Sequence, residues 1–402
     1  MTDERVTVRR IAWTEVIPCW ILFRSFRISL ELRMLLVALV GLSLAPVGRR
    51  AIEWVLARPE TRAEATSAPS GADALGRNPA PDTARMNGLS AGIATNRAAA
   101  ARSDYLPFAI KPIERFLRPW SAVVRPPDSF RATVILVLCG LWSLCVWALA
   151  GGVLTRMAVV RIARDERVGF MASIRHVATK FGSYVGAPLL PIGAIVLGLF
   201  LLSAVGWLTW TNIGYGLVAL AWPLVLAGSL LLMVIIAGVA IGWPMMWVAL
   251  GAEPDADSWD AVSRGYAYTL HHPLKLVAYA AVALVLGVVG GMIVSLFVEL
   301  TLSMVQAYVG WGDPSAEWLW SAFAGGGGVD APSFPVNVVR GWNTLLRSIV
   351  DAYAYSYFFT AAAAIYLLAR RDTNHTMIED VFVTSDDDTL RLPDLPPPPS
   401  AP

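Results

Sequence analysis

Long apolar runs alternate along this chain with short charged segments, and the alternation predicts a bundle of membrane-crossing helices. Ala132–Thr155 holds 24 residues without a charge, Leu276–Val298 holds 23, and Phe181–Ala252 holds 72. A helix needs about 20 apolar residues to cross a bilayer core, so the longest run predicts two spans. Their break falls at 209–216 (TWTNIGYG). Trp207, Trp210, Tyr215 and Trp222 flank or line it, as an aromatic belt at a membrane surface would. Met34–Gly48 is uncharged for only 15 residues. Helical extension to Leu56 makes it a first span, with Arg49, Arg50 and Glu53 at headgroup level. Ser348–Ala369 gives a sixth span, closed by Arg370 and Arg371. The predicted fold class is therefore all-α: about six transmembrane helices, the last five at about 132–155, 185–208, 217–250, 275–299 and 348–369.

Two shorter segments carry a different period. In 258–271, Trp259, Val262, Tyr266 and Leu270 recur at spacings of three and four, which puts them on one helical face. Asp257 or Ser258 is placed to cap that helix, and Glu253, Asp255, Asp257 and Asp260 crowd the end where the dipole favours negative charge. Segment 170–184 repeats the pattern with Phe170, Ile174, Val177 and Phe181. A shift of 89 residues lays Phe170 on Trp259, Arg175 on Arg264 and Phe181 on Leu270. Two readings account for the match. One is an internal duplication of a span, amphipathic helix, span unit; the other is two unrelated helices obeying the same interfacial physics.

Outside these elements the chain divides by composition. Residues 1–56 form a basic N-terminus and the first span. Residues 57–128 form a low-complexity Ala/Gly/Ser/Pro loop that ends in an interfacial segment, where Ile113, Phe116, Leu117 and Trp120 share a face. Residues 129–371 make the helical membrane domain. Residues 372–402 make a disordered tail with seven acids against Arg391 and four consecutive prolines. Arg156, Arg161, Arg164, Arg167, Arg175 and Lys180 lie between the second and third spans, and Arg370 and Arg371 follow the sixth. The positive-inside rule then sets both termini in the cytoplasm and 57–128 outside.

Composition narrows the function classes. The chain has 402 residues, 56% hydrophobic and 15% charged, with 16 tryptophans and a net charge of +2. That balance fits an integral membrane protein and excludes a basic nucleic-acid binder. Three cysteines without CxxC or Cys/His spacing indicate neither zinc nor a disulfide framework. Gly88–Gly92 spells GLSAG, a formal match to the serine-hydrolase elbow, but it lies in low-complexity sequence without the strand and helix that motif needs. No phosphate loop, HExxH or dinucleotide fingerprint occurs. Polar candidates remain. Glu299 and Asp351 lie nearest to membrane depth, at the end of one span and the start of the next, with Arg347 four residues before Asp351 and able to pair with it. Arg175 and Arg264 occupy matching places on the two amphipathic segments. His271 and His272 end the second; adjacent residues do not face each other on a helix, so a metal or pH-sensing role competes with a plain helix end.

RIARDERVGF at 161–170, APLLP at 187–191, GWPMMW at 242–247, DSWDAVSRGYAYTLHHP at 257–273 and LARRDTNHTMIEDVFV at 368–383 together resemble a family of uncharacterised bacterial multi-pass membrane proteins. More distantly, the helix-before-span unit resembles the membrane domain found beside glycerophosphodiester phosphodiesterases. The resemblance implies the bacterial inner membrane and brings no catalytic residue, because the phosphodiesterase barrel is absent. The leading expectation is a non-enzymatic protein without cofactor. It would scaffold or organise the membrane through lipid contacts, or through a protein partner met by the amphipathic helices or the acidic tail. A transporter or channel subunit for a lipid-like or small substrate is the alternative. A carrier calls for a polar cavity lined by broken helices near the bilayer midplane, a scaffold for a dry bundle.

Overall fold

The computed structural model describes residues 20–56, 105–120, 130–253, 255–312, 323, 334–378 and 380–381. The expectations for the N-terminal 19 residues, most of 57–128 including GLSAG, and the tail beyond Val381 fall outside the described residues. Among those described, eleven α-helices and one 3-10 turn form the whole secondary structure. They are α1 (Trp20–Ser29), α2 (Leu32–Leu56), α3 (Tyr105–Leu117, continued by the turn Arg118–Trp120) and α4 (Phe130–Arg164). Then come α5 (Phe170–Thr179), α6 (Phe181–Leu208), α7 (Asn212–Leu220) and α8 (Trp222–Ala252). Last are α9 (Ser258–His271), α10 (Pro273–Gly312) and α11 (Phe334–Asn374). Six of them, α2, α4, α6, α8, α10 and α11, are long and apolar enough to cross a membrane.

Side-chain meetings fix the directions of the six. Trp147 stacks on Tyr355 at 4.1 Å, and Gly151 faces both Trp247 and Phe359, so α4, α8 and α11 run the same way. Gly41 abuts Ala150 and Gly48 abuts Trp142, so α2 runs against α4. Gly198 meets Leu232 while Tyr184 O accepts from Trp247, and Gly287 and Gly290 meet Tyr357 and Tyr353, so α6 and α10 are also reversed. Glycine is required where these helices touch: a Cβ at Gly287 or Gly290 would sit inside a tyrosine ring or hydroxyl contact. The centre of the bundle is α11. From Ala352 to Ala369 every residue but Phe358 is buried. Outward faces of α6, α8 and α10 instead show large apolar side chains, as lipid-facing helices do.

Element limits differ from the sequence reading in four places. Helix α4 runs on to Arg164, so Arg156, Arg161 and Arg164 are helical rather than in a loop. The expected span 217–250 is two helices, α7 and α8, with α7 capped by Thr211, whose hydroxyl accepts from Gly214 N. The expected segment 170–184 divides at Lys180 into α5 and the start of α6. Helices α10 and α11 overrun the expected ends of their spans, into the stretch between 299 and 348. The order long helix, short helix, long helix occurs three times, as α4–α5–α6, α6–α7–α8 and α8–α9–α10.

Candidate functional site: two polar clusters and a lateral groove

The first cluster forms where α8 ends. A helix leaves its last carbonyls without intrahelical donors. Here Arg156 Nη1 donates to Gly251 O, His176 Nε2 lies 3.2 Å from Leu250 O, and Lys180 Nζ donates to Glu253 O at 3.2 Å and Ala256 O at 3.4 Å. Three basic side chains from α4, α5 and the α5–α6 junction thus cap α8, where its dipole is negative. Because a carbonyl only accepts, Nε2 of His176 carries the proton. Burial and the nearby Arg156 hold the imidazole pKa down to about 4, so it is neutral at pH 7. Burial also lowers Lys180.

A second structural link lies just beneath. Pro188 has no N–H, so the carbonyl of Tyr184, four residues earlier in α6, loses its helical donor. Trp247 Nε1 supplies one at 2.8 Å. This ties α6 to α8 inside the bundle.

Helix α9 crosses α8. Gly265 lies against Gly242 and Met246, and Ala261, Gly265, Tyr268 and Thr269 are buried. Asp257 caps its start by accepting from Asp260 N at 2.8 Å. From opposite faces its side chains reach opposite ways along α8. Tyr266 donates to Ile235 O at 2.8 Å, towards the middle of the span. Arg264 pairs with Glu253, just past the end of α8, and with Asp260 at 3.0 Å. Trp259 (72% exposed) and Leu270 (56%) share the face of Tyr266, on the span side and outside the protein. The four large apolar residues that the sequence puts on one face are therefore divided: Val262 and Tyr266 are partly buried, while Trp259 and Leu270 point out. On α5, Val177 is buried, Phe170 is 41% exposed and Arg175 is exposed. His271 and His272 are exposed at the end of α9, with ring centroids 6.3 Å apart. Among the described residues no group of three His, Cys, Asp or Glu side chains is placed to hold a metal.

The second polar cluster lies towards the other end. The expected pair of Arg347 with Asp351 is not formed. Arg347 pairs with Glu299 at 3.5 Å, joining α11 to α10. Asp351 instead pairs with Lys111 at 3.4 Å and Arg115 at 3.8 Å, both on α3. Helix α3, expected to lie at the surface, is inserted. Phe116 is 4% exposed and stacks on Trp243 at 3.8 Å, with Trp247 edge-on at 5.8 Å. The reason is hydrophobic: of the shared face found in the sequence, Phe116 is buried against aromatic side chains of α8, and Leu117 and Trp120 pack partly buried on the core.

The third feature is a groove of about 770 Å³ between α6, α7 and α8. Ala194, Gly198, Leu201, Leu217, Leu224 and Leu231 are among its walls, and no charged or polar side chain lines it. Sequence reading found α9, its cap and the residues Glu299, Asp351, Arg347 and Arg264 as polar positions. It missed Arg156, His176, Lys180, Lys111 and Arg115 as partners. It also missed Trp247 as the donor to Tyr184 O, for which Pro188 in APLLP was a signal, because a proline inside a helix leaves a carbonyl in need of a donor. Comparison with protein-family models, curated proteins and solved structures finds no match to this chain.

Proposed function

We propose that this chain is a non-enzymatic integral protein of a bacterial inner membrane that organises the bilayer, or a partner at its surface, through α5 and α9. Its termini lie in the cytoplasm, and α9 lies in the interface with Trp259 and Leu270 in lipid and Asp260 and Arg264 in water. The observation that carries this reading is the division of α9: apolar side chains on the span side of the helix, an ion-paired face beyond the end of α8. Interfacial helices bind by that arrangement. The closely packed aromatic centre formed by Phe116, Trp243, Trp247 and Phe359 supports a scaffold. An internal duplication of α4–α5–α6 in α8–α9–α10 goes with this reading, and superposing 156–211 on 245–300 tests it.

The apolar groove favours a second reading, a carrier of a lipid-like substrate. Proteoliposomes separate the two. A scaffold leaves a fluorescent phospholipid in its original leaflet while restraining spin-labelled lipid around it, and Trp259→Ser with Leu270→Ser reduces that restrained fraction. Protein-dependent movement of the phospholipid between leaflets would instead establish the carrier.

A further inference from the structure

We infer that the groove between α6, α7 and α8 is a binding site for one acyl chain of a bilayer phospholipid, taken from the leaflet opposite α5 and α9. Both flanking long helices are able to cross a membrane, and no charged residue occurs from Phe181 to Ala252. The groove is continuous with their exposed surface: Leu201 is 56% exposed, Leu224 75% and Leu231 63%. Water is excluded at this depth, so hydrocarbon is the solvent that fills it. Its dimensions select one leaflet. The α8 wall runs from Leu224 to Ile235 and the α6 wall from Ala194 to Leu208. At about 1.5 Å per residue those eleven and fourteen steps are roughly 16 and 21 Å. One leaflet's half of a hydrocarbon core ~30 Å thick is roughly 15 Å. At one end the groove is lined by Leu208 and Ala221; their chain neighbours Trp207 and Trp222, with Trp210 and Tyr215 between them in sequence, are exposed, as an aromatic belt at headgroup level is. At its other end Leu232 and Ile235 line it, and they pack with Ile195, Val239 and Tyr266 of α9 in one apolar cluster. A chain in the groove therefore ends against the helix whose other side meets the opposite surface.

The site rests on the six spans and not on the interfacial role of α9. Its test uses full-length protein in phospholipid bilayers doped with a phospholipid carrying a photoactivatable diazirine near the end of one acyl chain. Wild-type protein should be labelled several-fold more on the groove walls within 194–235 than on the lipid-facing Val289 and Phe297 of α10. Gly228→Trp fills the groove, because a Cβ at Gly228 meets nothing within 4 Å. It should remove the excess and leave α10 labelling unchanged. Equal labelling of groove and α10 in the wild type overturns the proposal even if the variant does not fold. So does an excess that survives Gly228→Trp, and so do crosslinks at the groove that join two copies of the chain. Failure here with Trp259 still in lipid would leave the scaffold reading standing.

Discussion

A proline, a carbonyl and an indole show how single residues hold this bundle. Pro188 leaves Tyr184 O without its helical donor, and Trp247 Nε1 replaces it from another helix. Trp247→Phe keeps most of the packing and removes the donor. An unsatisfied buried carbonyl costs about 1–3 kcal/mol, so the variant should unfold at lower temperature in detergent. In a Pro188→Ala background the residue-188 amide serves the carbonyl itself, and the same Trp247→Phe change should cost markedly less. Equal losses in both backgrounds would refute the assignment. His176 behaves differently because it titrates. Its pKa is about 4 folded against an ordinary 6.5, so the unfolded chain binds more protons between those values. The stability it contributes is complete above pH 6.5 and is lost as pH falls towards 4. Partial exposure reduces this to about 1–2 kcal/mol. Thermal melts of His176→Gln, which keeps an N–H donor, should depend less on pH than wild type across that window.

Among the elements, α3 and α9 show which parts could be read from the chain. Helix α9 was legible to its limits, because its cap and apolar period are local signals within 14 residues. The buried side of α9 was not, because it is made by Ala261 and Gly265, whose small size matters only once Gly242 faces them. For α3 the sequence offered a face but no partner. Lys111 and Asp351 are 240 residues apart, and local spacing pointed to Arg347 instead. Two outcomes follow from the docked α3. Phe116→Ala should destabilise the protein by about 3–5 kcal/mol, as loss of a core aromatic does, measured by thermal melting in detergent. Asp351→Asn removes the charge that holds Lys111 and Arg115. A cysteine at 111 in this variant should react faster with a water-soluble thiol reagent than the same cysteine beside an intact Asp351, while the melting of the bundle changes little.

At the scale of the whole molecule, the six long helices were legible from their apolar runs, and their alternating directions are those of consecutive crossings. The groove was not legible, since α6, α7 and α8 enclose it only after α7 folds back as a separate helix. Sidedness is the first global expectation. Reporter fusions after Arg371 should report cytoplasm and fusions within 65–96 the opposite side; a cytoplasmic signal from the latter contradicts six spans with both termini inside. The central claim, that α9 lies in the membrane surface with its two faces in different solvents, has a more direct measurement. Single spin labels at positions 259, 260, 264 and 270, in protein lacking the native cysteines and held in bilayers, report collision with oxygen against a water-soluble nickel complex. The account predicts lipid-depth values at 259 and 270 and aqueous values at 260 and 264. Aqueous values at all four positions would contradict it.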